Sequence, residues 1–427
     1  MTLSEQRNQP VRPRPTAKVI GAITLGNGLE FFDFVVYSFF ATVIGRLFFP
    51  AEDEVTQLML AVGTYGIAFI ARPVGGIVLG VLADRVGRKP AMNLTLGLMA
   101  LGSLGVACAP TQAQAGLLGP IWLLSARLLQ GFALGGEVGA STSLLLEYAT
   151  EKTRGYYSSW QMFSQALSSL AASAMALGLT RALTTEQLES WGWRIPFFLG
   201  VAVVPVGIWI RRHVDETLGE RKQSASATLK EVFLRQWATV LTGILLLMGG
   251  TCATYIVVFY LANYATTFLK MPLHVALWAS VASAVALAIA SPLAGLACDR
   301  YGRKPVLGVC RAIQALTVLP CFVWLGQSPT GPVLVAIVLF QGALTAFSAV
   351  SSIVTITESC PRYVRATALS IIYGLGVAAF GGSAQFVVTW LIDKTGNRLM
   401  PAWYLVVCIV LSSLPLLWIE ETNGREV

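Results

Sequence analysis

Among the ionisable side chains inside long apolar runs are Glu30, Asp33, Arg72, Arg127 and Glu137. A charge in such a run is costly unless it meets a partner or a wet cavity, so each is a candidate for function. Glu30 and Asp33 are three residues apart, about 60° around a helix and within one turn. Counted at ~1.5 Å per residue from Lys18, they reach roughly 18 to 22 Å into an apolar layer, and Arg72, counted back from Asp84, reaches a similar depth. Two carboxylates and a guanidinium at one depth can act as a protonation switch, because burial and a nearby cation together set how tightly a carboxylate holds its proton. A fixed ion pair between the same helices is the plainer reading. Arg127 and Glu137 stand ~80° apart around a helix and ~15 Å along it. Other chemistries lack their parts. Two His are too few for a His-based metal site, the seven Cys include no C-x-x-C, and no G-x-x-x-x-G-K-[ST] loop is present to hold a nucleotide.

The elements that must position these residues are membrane helices. Of the 427 residues, 55% are hydrophobic and 12% charged, and the mean hydropathy is +0.67. A typical soluble chain carries about 25% charged residues. Spans of ~20 mostly apolar residues can be laid down twelve times. They fall at 18–43, 56–83, 91–109, 120–147, 156–183, 194–212, 237–265, 274–298, 306–326, 331–358, 366–392 and 401–419. This divides the chain into an N-terminal bundle (1–210), a charged linker (211–236) suited to an amphipathic helix on anionic lipid, and a C-terminal bundle (237–427). The net charge of +8 reflects topology rather than nucleic-acid binding, since most of the Lys and Arg fall in loops on one side. The positive-inside rule places those loops and both termini in the cytoplasm, and the basic segment before the first run reads as an uncleaved first helix.

The halves repeat. Asp84-Arg-Val-Gly-Arg-Lys-Pro90 returns as Asp299-Arg-Tyr-Gly-Arg-Lys-Pro305, an offset of 299 − 84 = 215. Glu147 and Arg154 return as Glu358 and Arg365, and Gln130-Gly131 as Gln341-Gly342, each offset by 341 − 130 = 211. Internal repeats of this kind are a common construction of secondary transporters. Gly80-x-x-x-Asp84-Arg85-x-Gly87-Arg88-Lys89 and its second copy from Gly295 resemble the loop motif of the major facilitator superfamily. Gly26-Asn-Gly-Leu-Glu-Phe-Phe-Asp33, Arg72-Pro-Val-Gly75, Arg127-Leu-Leu-Gln-Gly131, Trp191-Gly-Trp-Arg-Ile-Pro-Phe-Phe198 and Tyr363-Val-Arg365 resemble its metabolite:proton symporter branch. Ser159-Trp-Gln161 and Tyr260-x-x-x-Tyr264 are most similar to the citrate and tricarballylate symporters of that branch.

The resemblance implies an all-α membrane protein of twelve helices in two pseudo-symmetric six-helix halves, and no enzyme. It implies transport by alternating access, with spans one, four, seven and ten lining the cavity. Asp33, Glu30 and Glu137 would carry protons. Arg127, in the outer part of the cavity, and Arg72 would meet substrate carboxylates, with Tyr37, Gln161, Tyr260 and Asn263 shaping the pocket. Asp84, Arg85, Arg88, Glu147 and Arg154, with Asp299, Arg300, Arg303, Glu358 and Arg365, would latch the cytoplasmic side. The expected substrate is a small organic anion, a di- or tricarboxylate, imported with protons by a monomer in a bacterial inner membrane, with no cofactor beyond the proton gradient. Shikimate, 2-oxoglutarate, proline or betaine symport is the nearest alternative, and a drug-type exporter a more distant one.

Overall fold

The structure, a computed structural model, describes residues 17–51, 53–86, 88–135, 142, 145, 149–201, 236–361 and 365–424. Every regular element among them is helical. The chain opens with α1 (Ala17–Phe39) and α2 (Ala41–Phe48), then α3 (Glu54–Val86), α4 (Arg88–Ala107), α5 (Leu118–Leu134) and α6 (Arg154–Ala182). After the linker come α7 (Trp237–Thr267), α8 (Leu273–Tyr301), α9 (Arg303–Gln327), α10 (Gly331–Ser359), α11 (Thr367–Thr395) and α12 (Met400–Ser413). Eight helices in this set are long and apolar enough to cross a membrane, and the bent pair α1–α2 makes nine. The expected third and fourth spans are the shorter apolar helices α4 and α5, and the sixth is described only as far as residue 201. The linker lies outside the described residues.

Three expected spans are less regular than their composition implied. The first bends by 69° between α1 and α2. There the Phe40 N–H is shared between the carbonyls of Val36 and Tyr37, and α2 then turns so that Gly45 meets the Gln57 carbonyl of α3. The seventh and eleventh each carry a π-helical stretch, Thr254–Tyr260 in α7 and Val377–Gly382 in α11. A π-helical turn inserts an extra residue and re-aims the side chains that follow it. Here it brings Gly381 against the Tyr255 ring, where a Cβ would come within 2.7 Å.

The N-terminal half is drawn together by α3 against α5 and α1 against α6. The α3–α5 crossing has little side-chain filling: a Cβ at Gly131 would overlap the Ala68 carbonyl, and one at Gly75 would overlap that of Phe132. Small residues allow this backbone approach, which in lipid supplies the packing that the hydrophobic effect does not. In the C-terminal half α8 packs on α10 and α7 on α12. The two halves meet along α6–α8 and α3–α11.

Candidate functional site

The α3–α5 crossing fixes the depth of two guanidinium groups. Arg72 leaves α3 and Arg127 leaves α5, both are buried, and both lie on the aromatic face of α1. Both reach the Phe34 ring, with the Arg72 and Arg127 Cζ atoms 4.6 and 4.4 Å from its centroid. Arg72 also sits 4.1 Å from the Phe69 ring, and Arg127 4.4 Å from that of Tyr37. A guanidinium stacks well on aromatic faces because it is planar and weakly hydrated. Stacking leaves its edge free. Among the described residues, Nε and Nη2 of each of these arginines have no hydrogen-bond partner.

Asp33, next to Phe34 on the same helix, is 2% exposed. Its Oδ2 accepts from Ser103 Oγ of α4 and from Gln130 Nε2 of α5. Its Oδ1 has no partner among the described residues and faces Gly200, where a Cβ would overlap it. Arg127 reaches the carboxylate through Gln130, whose Oε1 accepts from Arg127 Nη1 at 2.7 Å. The structure therefore brings together three of the expected residues, Asp33, Arg72 and Arg127, with Tyr37 against them. Glu137 lies outside the described residues, as does the side chain of Glu30.

The other expected pocket residues are engaged elsewhere. Gln161 donates to Asn27 at 3.1 Å, tying α6 to α1. The Tyr260 hydroxyl meets Thr389 Oγ1 of α11 at 2.7 Å. Asn263 donates to the Ser38 carbonyl at 2.9 Å and Gln385 to the Ser38 hydroxyl at 3.0 Å, two contacts that join the halves. Gln165 joins them again through the Tyr373 hydroxyl at 3.3 Å. Ser103, Gln130 and Tyr65 complete the cluster but carry no sequence signal of their own, since uncharged polar residues are common throughout these spans. The duplication of Gln130 as Gln341 was the one hint. A cavity of ≈ 370 Å³ lies on the face where α2 ends and α3 begins, lined by Arg46, Glu54, Thr266 and His274 among others. None of the buried cluster lines it.

The opposite face carries the second copy of the repeated loop. Asp299 accepts the backbone N–H of Gly155 at 2.8 Å and of Tyr156 at 2.9 Å, so its carboxylate caps the N-terminus of α6 from the other half. Gly155 and Gly295 make the approach possible, since a Cβ on either would come within 2.6 Å of the other's carbonyl oxygen. Arg303 binds Glu358 bidentately at 3.0 and 2.9 Å and lies 3.3 Å from Asp299. Arg154 reaches the same Glu358 at 3.7 Å across the halves. Outside the spans, Glu421 accepts the N–H of Arg303 and of Lys304, both at 2.9 Å. Burial opposes its ionisation, but these N–H groups, with that of Asn423, hold its carboxyl below the usual range. Arg300 is exposed, 5.3 Å from the Tyr301 ring. Glu147 lies outside the described residues, and so do the side chains of Asp84, Arg85, Arg88 and Arg365.

Two helical halves packed against each other, with charged side chains buried among apolar spans, have the build of a membrane transporter. Residues 19–218 match the family described as Sugar (and other) transporter, and residues 253–426 match the Major Facilitator Superfamily. The citrate-proton symporter of Salmonella typhi is 33% identical over 407 residues, 94% of each chain. That of Klebsiella pneumoniae is 34% identical over 93% of this chain and 91% of its own. A glycine betaine/proline/ectoine/pipecolic acid transporter of Dickeya dadantii is 28% identical over 96% of this chain and 84% of its own. The solved xylose transporter XylE from E. coli, in a partially occluded inward open conformation, superposes with a TM-score of 0.74 at 20% identity, covering 96% of this chain and 99% of that one. That likeness speaks for the fold alone. The chain belongs to the major facilitator superfamily, among its metabolite:proton symporters.

Proposed function

We propose that this transporter imports an organic di- or tricarboxylate together with protons. The observation that carries this reading is the pair of buried guanidinium groups against Phe34 whose Nε and Nη2 have no partner among the described residues. Buried donors without acceptors are costly, and a carboxylate, which accepts in the plane of a guanidinium fork, is the ligand that best meets them. The citrate-proton symporters among its relatives support the same class. An aromatic cage for a quaternary ammonium would need open rings, whereas Phe34 is already occupied by the protein's own cations.

Asp33 is the proton carrier in this reading. It is buried, its hydrogen bonds come from neutral donors, and Oδ1 is unpartnered among the described residues, so it has room for either protonation state. Asp299, Arg303, Glu358 and Arg154 hold the cytoplasmic face closed while the opposite face admits substrate, in a bacterial inner membrane.

The test is uptake of labelled citrate into proteoliposomes under an inside-alkaline gradient, with and without a protonophore. Accumulation that collapses with the protonophore, and is abolished in Asp33→Asn while citrate exchange persists, is the expected result. Undiminished accumulation by Asp33→Asn would remove that residue from the coupling role. Accumulation of proline or betaine instead of citrate would move the substrate to the zwitterions.

A further inference from the structure

The hydrogen bonds between Asp33 and Arg127 run through a single carboxamide, and the chemistry of its two neighbours dictates which way round it sits. An ionised carboxylate only accepts hydrogen bonds and a guanidinium only donates them. Gln130 must therefore turn its NH₂ to Asp33 and its oxygen to Arg127, which is the arrangement observed. Gln130 Nε2 also lies 3.2 Å from Ser103 Oγ, and that hydroxyl is anchored on the Met99 carbonyl at 2.9 Å.

The internal repeat supplies a control. Gln341, at the equivalent place in α10, donates to Thr317 Oγ1 of α9 at 3.1 Å, as Gln130 approaches Ser103 of α4. Its Oε1 has no partner among the described residues. The glutamine-to-hydroxyl contact is thus common to both halves, while only in the N-terminal half does a carboxylate stand at one end of the carboxamide and a cation at the other.

Building on the reading of Asp33 as the proton carrier, we propose that Gln130 is a positioning residue that transmits the protonation of Asp33 to Arg127. A proton on Oδ2 turns that oxygen into a donor, which either Ser103 Oγ or the carboxamide oxygen can accept, and acceptance by the carboxamide is the switching arrangement. The carboxamide turns over, its NH₂ then faces the Arg127 donors, and Nη1 is released. A proton on Oδ1 would point at Gly200 with no acceptor among the described residues, and would still cost the Gln130 contact its charge assistance. On the Oδ2 path proton uptake thus releases Arg127 from Gln130 and adds a third nitrogen to the two that have no partner among the described residues. A substrate carboxylate thereby meets a complete fork only after the proton is aboard.

The charged and titratable groups facing this unit are Arg127 on α5, Arg72 of α3 against Phe34, and the phenols of Tyr37 and Tyr65 against Arg127. From the other half Tyr255 packs on Tyr65, and α4 contributes the neutral Ser103. Glu30 shares α1 with Asp33, its side chain outside the described residues.

The test needs no substrate. In pH-difference infrared spectra of the full chain in lipid nanodiscs, the Asp33 carboxyl band is identified by its loss in Asp33→Asn. Guanidinium and glutamine amide bands are identified by ¹⁵N-arginine and ¹⁵N-glutamine labelling. In the wild type both should change with the midpoint of the carboxyl band. In Gln130→Leu, or Gln130→Met should the first variant not fold, the carboxyl band should remain and the guanidinium change should be lost. Gln341→Leu should match the wild type. A guanidinium change of wild-type size in the Gln130 variants, or a wild type whose glutamine amide bands ignore the titration, overturns the proposal. A wild type with no Asp33 carboxyl band overturns the proton-carrier reading itself.

Discussion

The latch between Asp299 and the start of α6 can be weakened in a graded way, and its geometry sets how far. The carboxylate accepts two backbone N–H bonds, at 2.8 and 2.9 Å, from the other half. Asp299→Asn keeps one carbonyl oxygen for one of them and loses both the second bond and the negative charge. A hydrogen bond to a charged group is worth about 1.5–3 kcal/mol, and a charge at a helix N-terminus about 0.3–1 kcal/mol. The two overlap, so about 2 kcal/mol is expected in all. Since about 1.4 kcal/mol is a factor of ten, closure of this face should weaken roughly thirtyfold. Glu358 keeps its bidentate bond to Arg303, so the fold should be spared. Spin labels at Glu151 and Tyr301, both exposed at this face, would report the change as a new population at longer distance in double electron–electron resonance. An unaltered distance distribution in Asp299→Asn, with unaltered melting, would refute the claim that this carboxylate holds the halves together.

Three further variants and one control separate the other interactions, each read by thermal unfolding in detergent. Gly131→Ala should destabilise by about 1–3 kcal/mol, because its Cβ overlaps the Ala68 carbonyl. Gly97→Ala, the control on α4 with open space around it, should be neutral or should gain up to ~1 kcal/mol. Arg311→Met should lower the melting temperature, since it strips the donors from the Leu246 and Ser412 carbonyls and unties α7, α9, α10 and α12, at about 1–3 kcal/mol for each unpaired group. Glu421→Gln should melt below the wild type at pH 7. Because the folded carboxyl is held below its usual value, its contribution is complete above the unfolded value of about 4.3 and is lost as pH falls through the folded one. The two melting curves should therefore converge in acid.

What the sequence made legible follows from which signals survive without packing information. Depth along a helix does, and counting from the charged ends sets Asp33 and Arg72 at one level; in the structure Arg72 stacks on Phe34, the residue next to Asp33. The repeated loop was also legible, because a charged block that recurs between apolar runs is hard to produce by chance. Partner choice was not. The repeat offset says nothing of contacts, and the structure joins Glu358 to Arg303 and Arg154, residues from a different loop and a different half, while the side chain of Arg365 lies outside the described residues. The bend at Phe40 and the two π-helical stretches were hidden for another reason. They arise where apolar helices accommodate neighbours, and an unbroken apolar run reads alike whether straight or bent. Gln130 shows the limit most clearly. Its copy Gln341 has the same residue type, the same spacing and the same kind of hydroxyl neighbour, and only the charges around it differ.

That difference bears on how many charges a turnover moves. Among the described residues, the N-terminal cluster holds two buried guanidinium groups and one buried carboxyl. With Asp33 ionised its formal charge is 2 − 1 = +1, and with Asp33 protonated it is +2. A buried excess charge is expensive in a membrane-embedded site, so each state favours the ligand that neutralises it. The protonated cluster matches a dianion and the ionised one a monoanion. If Gln130 releases Arg127 only in the protonated state, the dianion has both the right charge balance and the complete fork. Citrate should therefore bind as its doubly charged form, and apparent affinity should follow the abundance of that form as pH changes. Binding measured by tryptophan fluorescence across pH, for wild type and Asp33→Asn, distinguishes the cases. The variant, fixed at +2, should keep its preference for the dianion and lose only the component of the pH dependence that belongs to Asp33. A variant whose pH profile coincides with the wild type's would show that Asp33 does not titrate with substrate binding, and the charge argument would fall.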